Sequence, residues 1–300
     1  MNDIICNYKR RKGKLKLKDM AFPISFLLPS FIVVGIVNIY PLFAGLLYSF
    51  KNGSMLNSGN FIGLENYIIL FTMPDFLQAL RFSAIFAVVS LTGCYVIGML
   101  IALLLNGNIP FRGFFRATLL IPFIVPSVVS VVSWRWLLVS QDSPINHMLG
   151  MFGVKPIFFL SDQKWTIAVV CIIKIWKNFP FVALSLLSAM QSISQDVYEA
   201  AKIDGANKKN LFYYITLPLL APVSAVCCIM VTIWSFNDFD IIRMLTNGGP
   251  IGATTNIVLL AYNYMFTKYQ LGVSSSMAII TLLIIMIFSN FLLKHQDTNK

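Results

Sequence analysis

Phe82-Ser83-Ala84-Ile85-Phe86-Ala87-Val88-Val89-Ser90-Leu91-Thr92-Gly93-Cys94-Tyr95-Val96-Ile97-Gly98-Met99-Leu100-Ile101-Ala102-Leu103-Leu104-Leu105 contains no Asp, Glu, Lys or Arg, and the charge-free run continues to Phe111. A helix rises about 1.5 Å per residue, so about 20 apolar residues cross the ~30 Å hydrocarbon core of a bilayer. The stretch lacks the alternation of ~10-residue barrel strands. Its backbone polar groups must therefore be satisfied inside a helix, as a lipid environment demands.

Further charge-free stretches cover residues 20–50, 117–134, 178–195, 210–237 and 269–293. The whole chain is 57% hydrophobic and only 12% charged, against about 25% charged in ordinary globular domains. The expected fold is an all-α polytopic membrane protein with six transmembrane spans near residues 23–48, 82–105, 117–138, 165–190, 217–236 and 272–293. The fourth span has to borrow residues 165–173, which puts Lys174 and Lys177 inside it, three apart on one helical face. That face is expected to point away from lipid. Residues 245–267 are also charge-free, but Thr246, Asn247, Gly248, Gly249, Pro250 and Gly252 make the first half a turn-rich loop.

Basic residues set the orientation. Lys9, Arg10, Arg11, Lys12, Lys14, Lys16 and Lys18 crowd a tail over residues 1–19, and six alternating spans leave fourteen of the 23 Lys and Arg in segments on its side. The positive-inside rule places that side, with both termini, in the cytoplasm. The net charge of +11 is then an orientation signal and an attraction to anionic membrane lipid, not a nucleic-acid surface. The first apolar run is far longer than the ~7–15 residues of a secretory signal core, so it is expected to stay attached.

Chemistry-bearing motifs are few. Gly13-Lys14 lacks the upstream Gly of a phosphate loop and is followed by Leu15, and neither HExxH nor GxSxG occurs. No catalytic residue, metal site or cofactor is expected. Cys6, Cys94, Cys171, Cys227 and Cys228 have no ligand spacing and read as small packing residues. His147 and His295 read as solvated.

The segment after the fourth span is more ordered than a linker. Ser194 can cap a helix with Gln195 and Asp196 in its first turn, Ala200 and Ala201 favour helix, and Gly205 permits the left-handed residue that ends one. A second helix is expected to carry Leu211, Phe212 and Ile215 as an apolar stripe, with Pro218 in the first turn of the fifth span. An amphipathic hairpin on the membrane surface would have the same periodicity. The small residues at the corner, Ala200, Ala201, Gly205 and Ala206, fit close approach by another protein's groove better.

Glu199-Ala200-Ala201, Asp204-Gly205-Ala206, Phe212, Ile215 and Leu217-Pro218 resemble the EAA signature of permease subunits of ATP-binding-cassette importers. Phe61-Ile62-Gly63-Leu64-Glu65-Asn66-Tyr67 and Leu245-Thr246-Asn247-Gly248-Gly249-Pro250 are similar to the carbohydrate branch of that family, the maltose-type and glycerol-phosphate-type permeases. Ser194 departs from the proline that many relatives carry before the loop helix.

The resemblance implies a type I importer in a bacterial cell membrane. It would pair this chain with a second homologous permease, ATP-binding-cassette ATPase subunits, an external solute-binding protein and a carbohydrate solute. It implies that residues 192–216 form the coupling loop, with Glu199, Ala200, Ala201, Asp204, Gly205, Ala206, Phe212 and Pro218 docking on the ATPase, and that ATP is hydrolysed on the partner chain.

Polar residues within spans tend to face a cavity, so Lys174, Lys177, Asn178, Asn237 and Asp238 are candidates to line the solute path, with Trp234 and Tyr95 to stack on a sugar. Lysines can instead snorkel, and aromatics can anchor at the interface. Gly248, Gly249 and Pro250 are candidates for contact with the binding protein. Leu64, Tyr67, Ile68 and Phe71 are spaced as a helix lying flat on the outer surface. Two other classes share parts of this pattern. An ion-coupled secondary transporter would need intramembrane carboxylates, for which Asp238 is the acidic candidate, and a non-transporting scaffold could use the same loop. The sequence does not single out one carbohydrate or polyol.

Overall fold

The computed structural model describes residues 17–54, 57, 59–107 and 109–297. Most of the expected basic tail, residues 1–16, and Cys6 with it, lie outside them. In chain order the helices are α1 (Leu17–Val34), α2 (Tyr40–Ser49), α3 (Glu65–Thr72), α4 (Pro74–Asn106), α5 (Arg112–Ile124), α6 (Ser127–Leu138), α7 (Pro144–Met151), α8 (Gln163–Ser192), α9 (Gln195–Ile203), α10 (Lys208–Leu211), α11 (Leu217–Phe236), α12 (Asp240–Leu245), α13 (Ile257–Phe266) and α14 (Leu271–Asp297). Among the described residues five stretches are long and apolar enough to cross a bilayer: 26–49, 74–106, 163–192, 208–245 and 271–294. A sixth is a bent pair.

That bent pair occupies the place of the expected third span near 117–138 and breaks it in the middle. α5 and α6 meet at 88°. Val125 adopts φ −59°, ψ 130°, the extended conformation that a following proline, here Pro126, imposes on its neighbour. Pro122 inside α5 removes another ladder donor. The second span also begins earlier than the hydropathy edge suggests, because Pro74 at the first turn of α4 starts a helix that carries Asp75 and Arg81 before the apolar run.

Two other spans contain a π-helical turn. Tyr40 N donates to Gly35 O and Leu217 N to Phe212 O, each five residues back, and Pro41 and Pro218 follow directly. A proline ring crowds the carbonyl four residues before it, and one wide turn relieves that crowding at the cost of an extra residue. The expected second helix of the 192–216 loop is short: after α9, Lys208–Leu211 is α-helical, and the π turn Phe212–Thr216 runs on without a break into α11.

The bundle is assembled around α8. Phe82, Phe86, Val131, Val170, Ile173 and Ile242 form one buried cluster at the end bearing α12. Leu186, Leu187, Met190, Leu220, Cys227 and Val231 form another toward the end bearing α9. α4 and α8 pack closely because Gly98 leaves room: a Cβ there would lie 2.9 Å from Val182 and 3.0 Å from the Ala183 amide nitrogen. Small residues at a helix crossing are the usual means of close packing in lipid. Cys94, Cys171 and Cys227 are buried in these contacts.

Helices α2 and α3 are joined by side chains of the 61–67 segment. Asn66 Nδ2 donates to Ser49 O at 2.9 Å and to Lys51 O at 2.8 Å, and Tyr67 OH donates to Ser49 Oγ at 2.7 Å. Leu70 is fully buried against Phe76 and Met277, whereas Leu64, Ile68 and Phe71 are each more than half exposed. α3 thus buries its Asn66/Leu70 face and turns the Leu64/Ile68/Phe71 face outward. Phe31, Ile36, Phe43 and Leu47 along the first span are likewise exposed, an all-round apolar surface suited to lipid.

Candidate functional site

The corner between α9 and α10 is built by local rules. Ser194 Oγ accepts from Asp196 N and starts α9. At the other end Gly205 N donates to Lys202 O at 3.0 Å and Ala206 N to Ala201 O at 2.9 Å, with Gly205 at φ +85°. This is a Schellman closure, in which glycine escapes the steric cost of the left-handed region. A Cβ at Gly205 would meet nothing within 4 Å, so the corner faces open space.

Glu199, Ala200, Asp204 and Gly205 are exposed, Ala201, Ala206 and Phe212 half-buried, and Pro218 exposed on the first turn of α11. Gln195 Nε2 donates to Glu199 Oε1 at 2.7 Å, holding the carboxylate on the outer side of α9. A shallow concavity of about 290 Å³ lies at the corner, lined by Ala201, Asp204, Gly205, Ala206, Asn210 and Tyr214 among others. Tyr198 and Thr216 share a hydroxyl hydrogen bond of 3.0 Å, and Thr216 Oγ1 donates to Leu211 O. The loop helix is therefore tied to the π turn beneath it. Ile203, 86% exposed, and Tyr214, 78% exposed, stand out beside the corner. Neither falls on an apolar stripe of the sequence, so periodicity does not mark them. An unburied Ile at a helix terminus in a polar segment was the available signal.

Within the spans, a second group converges. Lys174 Nζ lies 2.6 Å from Asp238 Oδ2 and 2.9 Å from Trp234 O. Asp238 Oδ1 accepts from Ile241 N, and Asp238 O accepts from Asn256 Nδ2, whose own Oδ1 caps α13 at Leu259 N. One carboxylate residue thereby ties together α8, the end of α11, the start of α12 and the start of α13. Lys177 Nζ donates at 2.7 Å to Val125 O, the carbonyl exposed where the third span breaks. Asn178 is buried and its Nδ2 has no hydrogen-bond partner among the described residues.

Trp234 is in an aromatic cluster with Phe181, 4.9 Å between centroids, and Phe123, 6.0 Å. Nothing in the sequence marks Phe123 and Phe181, since single phenylalanines in apolar spans are indistinguishable from lipid-facing ones. Asn256 was missed because it lay in the turn-rich loop.

Three further groups of expected site residues have distinct surroundings. Asn237 is exposed and lines a different concavity with Pro41, Gly45 and Ile257, so it does not join Asp238. Adjacent positions beyond the last turn of α11 diverge in direction. Tyr95 shares a 2.9 Å hydrogen bond with Ser224, ten residues and about 15 Å along the helix axis from Trp234, so the two aromatics do not flank one site. At the 245–256 turn, Thr254 Oγ1 donates to Gly249 O and Thr255 Oγ1 to Gly248 O. Gly248 is buried and Gly249 and Pro250 are half-buried, whereas Ile251 is 85% exposed. The Gly-Gly-Pro triplet is the frame of the turn and Ile251 is its apex.

Residues 95–299 match the family described as binding-protein-dependent transport system inner membrane component. The chain is 36% identical to the trehalose/maltose transport system permease protein of Thermococcus litoralis, over 94% of this chain and 96% of that one. It is 32% identical to the sulfoquinovosyl glycerol transport system permease protein of Agrobacterium fabrum, over 89% and 87%. Its fold superposes on a chain of a bacterial ABC transporter involved in the import of the acidic polysaccharide alginate with a TM-score of 0.83, at 22% identity, covering 94% of this chain and 97% of that one. The chain belongs to the binding-protein-dependent inner-membrane permeases of ABC importers. It is a multi-pass membrane protein, of a family in which the ATPase is a separate subunit.

Proposed function

We propose that this chain is one of the two permease subunits of a carbohydrate importer and that it couples to its ATPase through the corner at Gly205. The observation that carries the coupling half of this reading is the Schellman-closed corner with open space over its glycine. A rigid small-residue knob tied to the start of α11 can transmit movement of a docked partner into the span. The carbohydrate half is supported by the relatives, whose transported solutes are trehalose or maltose and sulfoquinovosyl glycerol.

In this reading residues 192–216 and both termini face the cytoplasm, and the 245–256 turn faces the solute-binding protein through Ile251. Lys177, Asn178 and Trp234, backed by the Lys174–Asp238 pair, line the path beside the break of the third span. Discontinuous helices with free polar ends are frequent at the solute sites of transporters. ATP hydrolysis takes place on the partner, and this chain contributes no catalytic group. An ion-coupled mechanism is disfavoured because Asp238, the acidic candidate, is already neutralised by Lys174.

The test is uptake of labelled mono- and oligosaccharides by cells carrying or lacking this chain. Chain-dependent uptake should persist under an ionophore while ATP is maintained and stop when ATP is depleted. Collapse under the ionophore with ATP intact would replace the importer reading with an ion-coupled one.

A further inference from the structure

At the end of the bundle opposite the docking corner, α6 and α12 enclose an open concavity of about 680 Å³, lined by Val132, Arg135, Trp136, Val139, Arg243 and Asn247 among others. Arg135 Nη1 donates to Met244 O at 3.4 Å. Arg243 Nη1 donates to Asn247 Oδ1, and its guanidinium stands 5.5 Å over the Tyr262 ring. Both cations are therefore held in place by neutral partners. Among the described residues the one ion pair is Lys174–Asp238, so neither arginine has a carboxylate oxygen within 4.0 Å, Asp240 one turn before Arg243 on α12 included.

A guanidinium has five N–H donors, and the contacts above occupy few of them. Two guanidinium groups on one concavity present a fork geometry suited to a planar or tetrahedral oxyanion. Trp136 is 68% exposed on the same wall, offering an apolar face against which a saccharide ring can lie. α12 begins two residues after Asp238, so the concavity is one short helix away from the intramembrane group.

We propose that this concavity is a seat for the acidic group of a saccharide, a carboxylate or sulfonate, at the outer mouth of the solute path. The proposal rests on the orientation given above and adds a solute chemistry to it. The concave, aromatic-walled form fits a small ligand better than the acidic face of a protein. A lipid phosphate has the same oxyanion chemistry, and the experiment distinguishes the two.

The full-length chain is purified into phosphatidylcholine nanodiscs and titrated at low ionic strength, where exposed charges are least screened, with D-glucuronate and with D-glucose. Glucuronate should bind more tightly by about tenfold or more, the scale of one charge-assisted hydrogen bond. Arg135→Gln and Arg243→Gln should each remove that preference, and Arg135→Lys should keep part of it. Equal affinity for the two sugars would overturn the proposal, and so would a preference that survives in the double Gln variant. Loss of glucuronate binding in nanodiscs containing phosphatidylglycerol would overturn it in favour of a lipid phosphate. None of these results bears on whether uptake depends on ATP, so the seat can fail while the importer reading stands.

Discussion

The ammonium of Lys174 lies 2.6 Å from a carboxylate oxygen of Asp238, and each side chain is 6% exposed. The two residues are 64 apart in sequence and belong to different spans. A buried pair of this kind contributes little net stability over an apolar pair, but removing one partner strands a charge, at about 3–5 kcal/mol.

Asp238→Leu and Lys174→Met should therefore each lower the thermal unfolding temperature of the detergent-solubilised chain more than Lys174→Met/Asp238→Leu does. A double-mutant cycle by differential scanning fluorimetry checks this. Independent, additive losses would mean that the two charges are not coupled.

Asn237 and Asp238 are neighbours with different surroundings, and their substitutions should differ. Asp238→Asn removes the charge facing Lys174 and should reduce solute-stimulated ATPase activity of the assembled transporter several-fold. Asn237→Ala should leave that activity within about twofold, because its side chain faces the Pro41/Gly45 concavity. Equal effects would show that position, not the ion pair, decides.

Gly98 packs against Val182 and the Ala183 backbone, and a backbone atom cannot move aside as a flexible side chain can. Gly98→Val should destabilise the chain by about 1–3 kcal/mol, the usual cost of overpacking, read as reduced membrane accumulation and a lower unfolding temperature. Gly113→Ala, where a Cβ would meet nothing within 4 Å, is the control and should be silent.

Trp234 touches both Phe123 and Phe181. Trp234→Ala should raise the solute concentration for half-maximal uptake more than Tyr95→Phe does, since Tyr95 bonds to Ser224 well away from the cluster. A larger effect at Tyr95 would relocate the path toward that level of α11.

The long spans and the helix–turn corner at Gly205 are legible in the sequence, because both depend on local rules: length of an apolar run, a capping Ser194, a left-handed Gly205. What the sequence hid is non-local. The break in the third span was encoded by Pro122 and Pro126, yet its average hydropathy is that of a continuous helix. The ion pair was half visible, since Lys174 and Asp238 were each marked as costly polar residues without any sign that they meet. The Phe123–Phe181–Trp234 cluster and the Asn256 hydrogen bonds required knowing which spans adjoin.

The most direct test of the central claim, that the corner at Gly205 is where the ATPase docks, is affinity purification of the tagged chain from native membranes. Wild type is compared with Gly205→Pro, whose fixed negative φ cannot reach +85°, and with Glu199→Arg. Recovery of an ATPase and a second permease with wild type, and of the second permease without the ATPase in both variants at equal membrane abundance, is the predicted result. An ATPase retained in full by both variants would contradict it.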